Sequence, residues 1–294
     1  MQLLSSMLAI VVITSLTSVP SIRQVAVTDD LNRSIVFEQA ATRIVSLAPS
    51  ITETLFALGV GNRIVGVTDY CNYPAEAPTK PHVGSMLSPS IETIVGLEPD
   101  LVVMSMEGNT REAFDLLDNL GVRVFVTNPR TLDGIYKSII NLGILTGATD
   151  EAGELVHKMK QREDLLRAGV TQKTKTMMIV SLQPLLVVGA DTFLAELLSI
   201  AGGENVAAET GLTYPAYSRE SVIATNPDVI LLTSGLLGSP DDLVSLYPEW
   251  QRLTAVKDKR VFVVDSDIVS RPGPRAIDGL EAIQAFLKAA TTKE

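Results

Sequence analysis

Ser90-Ile-Glu92-Thr-Ile-Val-Gly-Leu-Glu-Pro99-Asp100-Leu-Val-Val-Met104 and Ser218-Arg-Glu220-Ser-Val-Ile-Ala-Thr-Asn-Pro227-Asp228-Val-Ile-Leu-Leu232 are one phrase written twice. Each runs Ser-x-Glu, six residues, Pro-Asp, then an apolar stretch, and Glu220 lies 128 residues after Glu92. A helix followed by a strand explains either copy. The helix N-terminus favours a carboxylate in its first turn, which accounts for each glutamate taken singly. Shared ancestry of the two segments accounts for the repeat. Together they predict two lobes on one plan, each showing a glutamate at an equivalent place. Such a pair suits a two-lobed partner better than a single catalytic centre.

Outward from the repeat, short apolar runs alternate with helical stretches, the pattern of an α/β fold with mainly parallel sheets. Residues 24–37 read as a β-hairpin with a polar turn. Arg43-Ile-Val-Ser-Leu47 is a buried strand. Ser50-Ile-Thr-Glu53 then has the spacing of a capping box, in which serine and glutamate satisfy each other's backbone amides. Gly59 ends that helix, and a strand follows at 64–68. Ser88-Pro89 opens the next helix, with proline at its first position. A strand at 101–105, a helix at 111–120 and a strand at 122–127 complete the first half.

From 133 to 168 the pattern is helical throughout, and residues 150–167 form its longest uninterrupted piece. Leu155, Met159 and Leu166 line one face of that piece and charges cover the other. It is the expected connector, stiff where a Gly/Ser linker would be loose. Strands then follow at 174–180, 185–188, 229–232 and 260–264, with helices at 193–201, 218–225 and 275–289. The expected organisation is residues 1–22 apart, an N-terminal lobe over 23–130, a helical region over 131–170 and a C-terminal lobe over 171–294.

Residues 1–22 carry no charged side chain and centre on Leu8-Ala-Ile-Val-Val-Ile-Thr14. They read as an export signal, although the usual positive start is missing. Uncleaved, they are long enough to anchor the chain in a bilayer. The formal net charge of −10 argues against nucleic acid, whose phosphates require an excess of Lys and Arg. Cys71 is the only cysteine, which excludes an internal disulfide and a cysteine zinc site. His82 and His157 are the only histidines, which argues against a histidine-rich metal receptor. His157 belongs to the connector surface, and His82 to a loop rich in Tyr and Pro. No nucleophile elbow, metalloprotease helix or phosphate loop is present.

Ligands of open α/β sheets collect beyond the carboxyl ends of the strands. Those ends and their loops carry Tyr70, Tyr73, Met86, Ser105, Glu107, Leu186, Tyr214, Tyr217 and Arg271. Four of the six tyrosines fall in the two long loops 69–88 and 202–217. A tyrosine offers a flat apolar face and one polar tip, suited to a large planar ligand. Methionine adapts to irregular surfaces.

Several longer phrases carry a resemblance. They are Arg43-Ile-Val-Ser-Leu-Ala-Pro-Ser-Ile-Thr-Glu-Thr-Leu-Phe-Ala-Leu-Gly59 and Val65-Gly-Val-Thr-Asp-Tyr-Cys-Asn-Tyr-Pro74. Gly202-Gly-Glu-Asn205 and Arg271-Pro-Gly-Pro-Arg275 join them, beside the repeated Ser-x-Glu phrase. Over residues 25–290 the chain resembles the periplasmic substrate-binding proteins of ABC importers for cobalamin and ferric siderophores. The likeness is greatest to the cobalamin-binding branch.

The resemblance implies two Rossmann-like α/β lobes joined by one long rigid α-helix, with the ligand held between them. It implies a binding protein that is not an enzyme and has no catalytic residue, resident metal or cofactor. The ligand is a cobalt- or iron-containing chelate. It also implies an ABC permease with a cytoplasmic ATPase as partner, engaged through Glu92 and Glu220, and a monomeric exported protein. Its place would be the periplasm or the outer face of the membrane. The implied ligand contacts are Tyr70, Met86, Ser105, Leu186, Tyr214 and Arg271. Met86 and Ser105 stand where known cobalamin binders carry tryptophan, a departure that keeps ferric siderophore and haem open. Two readings from other classes remain. One is an enzyme acting on a tetrapyrrole or metal chelate, with both glutamates in one pocket. The other is a membrane-anchored sensor lobe.

Overall fold

The computed structural model describes residues 25–291. The proposed signal or anchor segment, residues 1–22, lies outside them. β1 (Val25–Thr28) and β2 (Ser34–Phe37) make the expected antiparallel hairpin. Asp29 organises its turn by accepting from the amides of Leu31 and Arg33 and from the Arg33 guanidinium.

β3 (Ile44–Ser46) leads into α1 (Pro49–Ala57), and β4 (Ile64–Val67) follows. α2 (Ile91–Gly96) precedes β5 (Leu101–Ser105), and α3 (Arg111–Asn119) precedes β6 (Val124–Thr127). The four strands form one parallel sheet in the order β4-β3-β5-β6. Every residue of β3, β5 and β6 is buried, because helices cover both faces of a parallel sheet and leave no polar side.

Two expectations fail here. Ser50 and Glu53 form no capping box. Proline at position 49 starts the helix, no side chain caps it, and Glu53 turns into the protein. Pro89 does not open α2 either. It pairs with Gly84, and Ser90 is the N-cap, accepting from the Thr93 amide.

α4 (Leu132–Thr146) and α5 (Thr149–Ala168) make up the helical region read over 133–168, α5 holding the uninterrupted piece read at 150–167. Gly147 separates the two helices at φ 71°, a left-handed conformation that glycine adopts without penalty. α5 is the longest helix described, 20 residues or about 30 Å. Its apolar face holds Met159 in the core with Leu155 and Leu166 packed against it, as read from the sequence.

The second sheet contains β7 (Thr174–Leu182), β8 (Leu185–Val187), β9 (Gly203–Asn205), β10 (Val229–Thr233) and β11 (Val261–Val264). Its order is β11-β10-β7-β8, with β9 parallel to the start of β7 and β8 antiparallel to its end. The helices of this half are α6 (Phe193–Ile200), α7 (Arg219–Thr225), α8 (Asp242–Leu246), α9 (Thr254–Lys257), α10 (Ser266–Val269) and α11 (Ala276–Thr291).

β10 falls 128 residues after β5 and α7 begins 128 after α2, so the repeated phrase is the same helix–strand unit in both lobes. One apolar core runs from the first sheet through α4, α5 and α11 into the second, while the outer face of each sheet has a core of its own. The lobes are thus joined by shared packing as well as by chain. Among the described residues no helix is long and apolar enough to cross a membrane.

Candidate functional site

Loops beyond the carboxyl end of the first sheet, and the segment along edge strand β8 of the second, carry exposed apolar side chains. Tyr70 is 58% exposed, Met106 46% and Tyr214 44%, and Tyr73, Leu87 and Leu212 are exposed beside them. Burying such side chains is favourable, so their display in both lobes makes these segments candidates for a binding surface.

Loop 68–74 presents Tyr70 above a buried polar knot. There the Thr52 hydroxyl donates to Cys71 Sγ at 3.1 Å, and Thr68 lies 3.2 Å from the same sulfur. Cys71 is therefore a buried packing residue, as its small size suggests. His82 braces the start of the loop. Its Nδ1 meets Asp69 Oδ1 at 3.0 Å and its Nε2 meets the Pro78 carbonyl at 3.3 Å. Both partners are acceptors, so only the doubly protonated ring satisfies them, and the Asp69 carboxylate foremost raises its pKa above 6.5.

Asn109 is the organiser that sequence reasoning missed. Its amide nitrogen donates to Leu47 O (3.0 Å) and Met86 O (2.8 Å), and its oxygen accepts from Ser105 N (2.7 Å). One side chain thereby ties three strand-end segments together. Met86 folds over Gly108, where even a β-carbon would fall 1.9 Å from its methyl group. Ser105 is buried at the end of β5. With Met104, Met106 and Phe114 it borders an apolar hollow of about 320 Å³.

In the second lobe Leu186 is the outward residue of β8, its neighbours on either side being buried. Segment 212–217 runs beside that strand. Ala216 bridges to Leu186, and the Tyr217 amide donates to Leu185 O at 3.0 Å. Leu186 and Tyr214 therefore lie on adjoining segments. Partial burial raises the Tyr214 phenol pKa, and the charge of Glu107 from the first lobe raises it further. Arg130 approaches Glu107 at 3.9 Å and opposes that effect on Tyr214.

Arg271 meets the Tyr70 loop through Asn72. Its side chain is 12% exposed, donating to Glu53 Oε1 (3.0 Å), Asn72 Oδ1 (2.7 Å) and Asp267 Oδ1 (2.6 Å). It bridges the lobes, with both Nη1 hydrogens and one on Nη2 committed to these three acceptors. No sequence pattern announced Glu53 as its partner, because the two are 218 residues apart.

Glu92 and Glu220 both lie exposed in the first turn of their helices. Ser90 and Ser218 cap the two helices identically, each accepting from the amide three residues on. The far ends match as well. Arg43 donates to Leu97 O and Glu98 O, and Lys175 donates to Thr225 O, which occupies the place of Leu97. A cation at the C-terminus and a carboxylate at the N-terminus both complement the helix dipole. The Glu220 carboxyl is held below its usual pKa by its own backbone amide and then by Ser218. Among the described residues no cluster of three or more His, Cys, Asp or Glu side chains is suited to a metal.

A family model described as periplasmic binding protein matches residues 44–268. An ABC transporter substrate-binding lipoprotein of Bacillus subtilis (strain 168) is 33% identical over 284 residues, covering 92% of this chain and 87% of its own. The vitamin B12-binding protein of Vibrio cholerae serotype O1 is 30% identical over 85% of this chain and 90% of its own. The crystal structure of the periplasmic vitamin B12-binding protein of Vibrio cholerae superposes with a TM-score of 0.77 at 29% identity, over 86% of this chain and 99% of that one. The haem-binding protein of Roseiflexus sp. RS-1 gives 0.77 at 28%, over 85% and 100%. With its two lobes, its parallel sheets and this match over most of its length, the chain belongs to the periplasmic binding protein family, whose members bind solutes for ABC importers and are not enzymes.

Proposed function

We propose that this binding protein captures a corrinoid, cobalamin or a close relative, between its lobes and hands it to a permease through Glu92 and Glu220. The observation that carries the capture is the exposed apolar set of Tyr70 and Met106 beyond the first sheet's strands and Leu212 and Tyr214 along β8 of the second lobe. A broad, flat, partly polar macrocycle matches such a set, taking the tyrosine faces as platforms and their hydroxyls as donors. Met86, Ser105 and Leu186 complete the proposed contact set. Arg271 contributes by holding Asn72 beside Tyr70. The cobalt belongs to the cargo, and the protein needs no cofactor of its own. The vitamin B12-binding relative supports this choice of ligand.

Haem is the second reading, favoured by the equal TM-score of the haem-binding structure. His82 does not favour it, since both ring nitrogens are already engaged.

Docking rests on the matched helix ends. Two exposed carboxylates, each on a helix held at both termini, offer a permease two bidentate acceptors for arginine. The test is uptake of labelled cobalamin by cells expressing the protein with its permease and ATPase. Replacing Glu92 and Glu220 together by alanine should abolish uptake and leave ligand affinity unchanged. Retained uptake would remove the docking role, and lost affinity would place the glutamates in ligand binding instead.

A further inference from the structure

Glu53 is an acidic residue with its side chain 1% exposed, on a helix otherwise sunk in apolar core. A carboxylate there is tolerated only when its lone pairs are filled. The second lobe fills them. Arg275 donates Nε to Oε2 at 2.9 Å and Nη2 to Oε1 at 2.7 Å, a planar fork, and Arg271 adds a third bond at 3.0 Å. Hydrogen bonding to Glu53 is the main reason the Arg275 pKa is raised. The backbone follows the same approach, since a β-carbon on Gly273 would stand 3.1 Å from Ser50 O.

The cluster reaches the aromatic loop. Asn72 accepts from Arg271 and donates to Asp267 Oδ2 at 2.8 Å. The Arg275 guanidinium covers the Tyr73 ring at 4.1 Å, and the Asn72 amide donates to Tyr70 O at 3.0 Å. The loop bearing Tyr70 is thereby tied to the second lobe as well as to its own.

We infer that Glu53, Arg271 and Arg275 form a second joint between the lobes, which fixes the width of the cleft and positions the Tyr70 loop before any ligand arrives. The two sequence phrases that contain these residues, Pro49-Ser-Ile-Thr-Glu53 and Arg271-Pro-Gly-Pro-Arg275, are partners of one another. Opening the cleft by swinging the lobes apart would strand a buried carboxylate, so the joint disfavours that motion. Glu53 and Arg275 are assigned as positioning residues. The link to affinity rests on the proposed corrinoid reading, whereas the joint itself does not.

The test measures inter-lobe distance in the absence of ligand. Spin labels at Glu112→Cys on α3 and Lys257→Cys on α9, in a Cys71→Ser background of the full chain, report it by electron–electron resonance. The intact joint should give one narrow distribution. Glu53→Gln, which keeps the shape and removes the charge, should broaden it, and Arg275→Lys should broaden it less. Narrow distributions in both variants overturn the joint. Should Glu53→Gln fail to fold by circular dichroism, Arg275→Lys decides alone. With cyanocobalamin as probe, a pre-formed fraction reduced to about a tenth raises the apparent Kd about tenfold. Unchanged affinity beside a broadened distance would overturn the positioning of Tyr70. A parent protein that binds no cyanocobalamin would count against the corrinoid reading and leave the distance result to judge the joint.

Discussion

His82 faces two acceptors and no donor, so its proton is part of the loop's structure. Its folded pKa is raised above the ordinary 6.5, chiefly by Asp69. The resulting stabilisation is complete below pH 6.5 and is lost as the pH climbs through the folded value. Asp69→Asn should return the His82 midpoint toward 6.5 in an NMR titration; an unmoved midpoint would show that Asp69 is not its cause. The tyrosines can be separated in the same single-residue way. Tyr70→Ala removes a platform whose face is already desolvation-ready, and should weaken ligand binding by about 1–2 kcal/mol, within the range for an aromatic anchor. Tyr214→Phe keeps the platform and loses only the hydroxyl, so calorimetry should find a smaller loss than for Tyr214→Ala. Equal losses would mean that the hydroxyl, rather than the ring, makes the contact.

Among the elements, α2 and α7 are the most informative pair. Each is short, six and seven residues, and too short to persist without fixed ends. Serine caps one end, and a cation, Arg43 just before β3 or Lys175 on β7, holds the other. Ser90→Ala and Ser218→Ala should each cost about 1 kcal/mol in urea unfolding. A marked difference between the two would break the equivalence of the lobes. Much of this was legible in the sequence. The 128-residue offset holds for the N-cap serines and the strands, and even for the residues of positive φ, Glu98 at 46° and Asn226 at 44°. The strands were legible because buried parallel strands are written as unbroken apolar runs. β9 and the four- to five-residue helices α8, α9 and α10 were not, since none spans enough residues to show a period. Glu53 was misread for another reason. Ser-x-x-Glu is a local pattern, and the arginines that override it lie more than 200 residues away. Asn109 escaped notice because its three partners are backbone atoms, which leave no trace in side-chain pattern.

At the scale of the whole molecule, the shared core through α4, α5 and α11 joins the lobes on one side, and the Glu53 cluster ties them again. Two attachments leave little freedom for a hinge, so recognition falls to a largely pre-formed cleft. The radius of gyration by X-ray scattering should change little on ligand saturation, and a large contraction would contradict a rigid connector. The central claim is that the exposed apolar set takes a corrinoid, and calorimetric titration of the purified protein with cyanocobalamin tests it most directly, with haem and a ferric siderophore run in parallel. The account predicts one-to-one binding of cyanocobalamin that weakens in Tyr70→Ala and Tyr214→Ala. Heat with haem or the siderophore alone would contradict the ligand while leaving the family and fold intact.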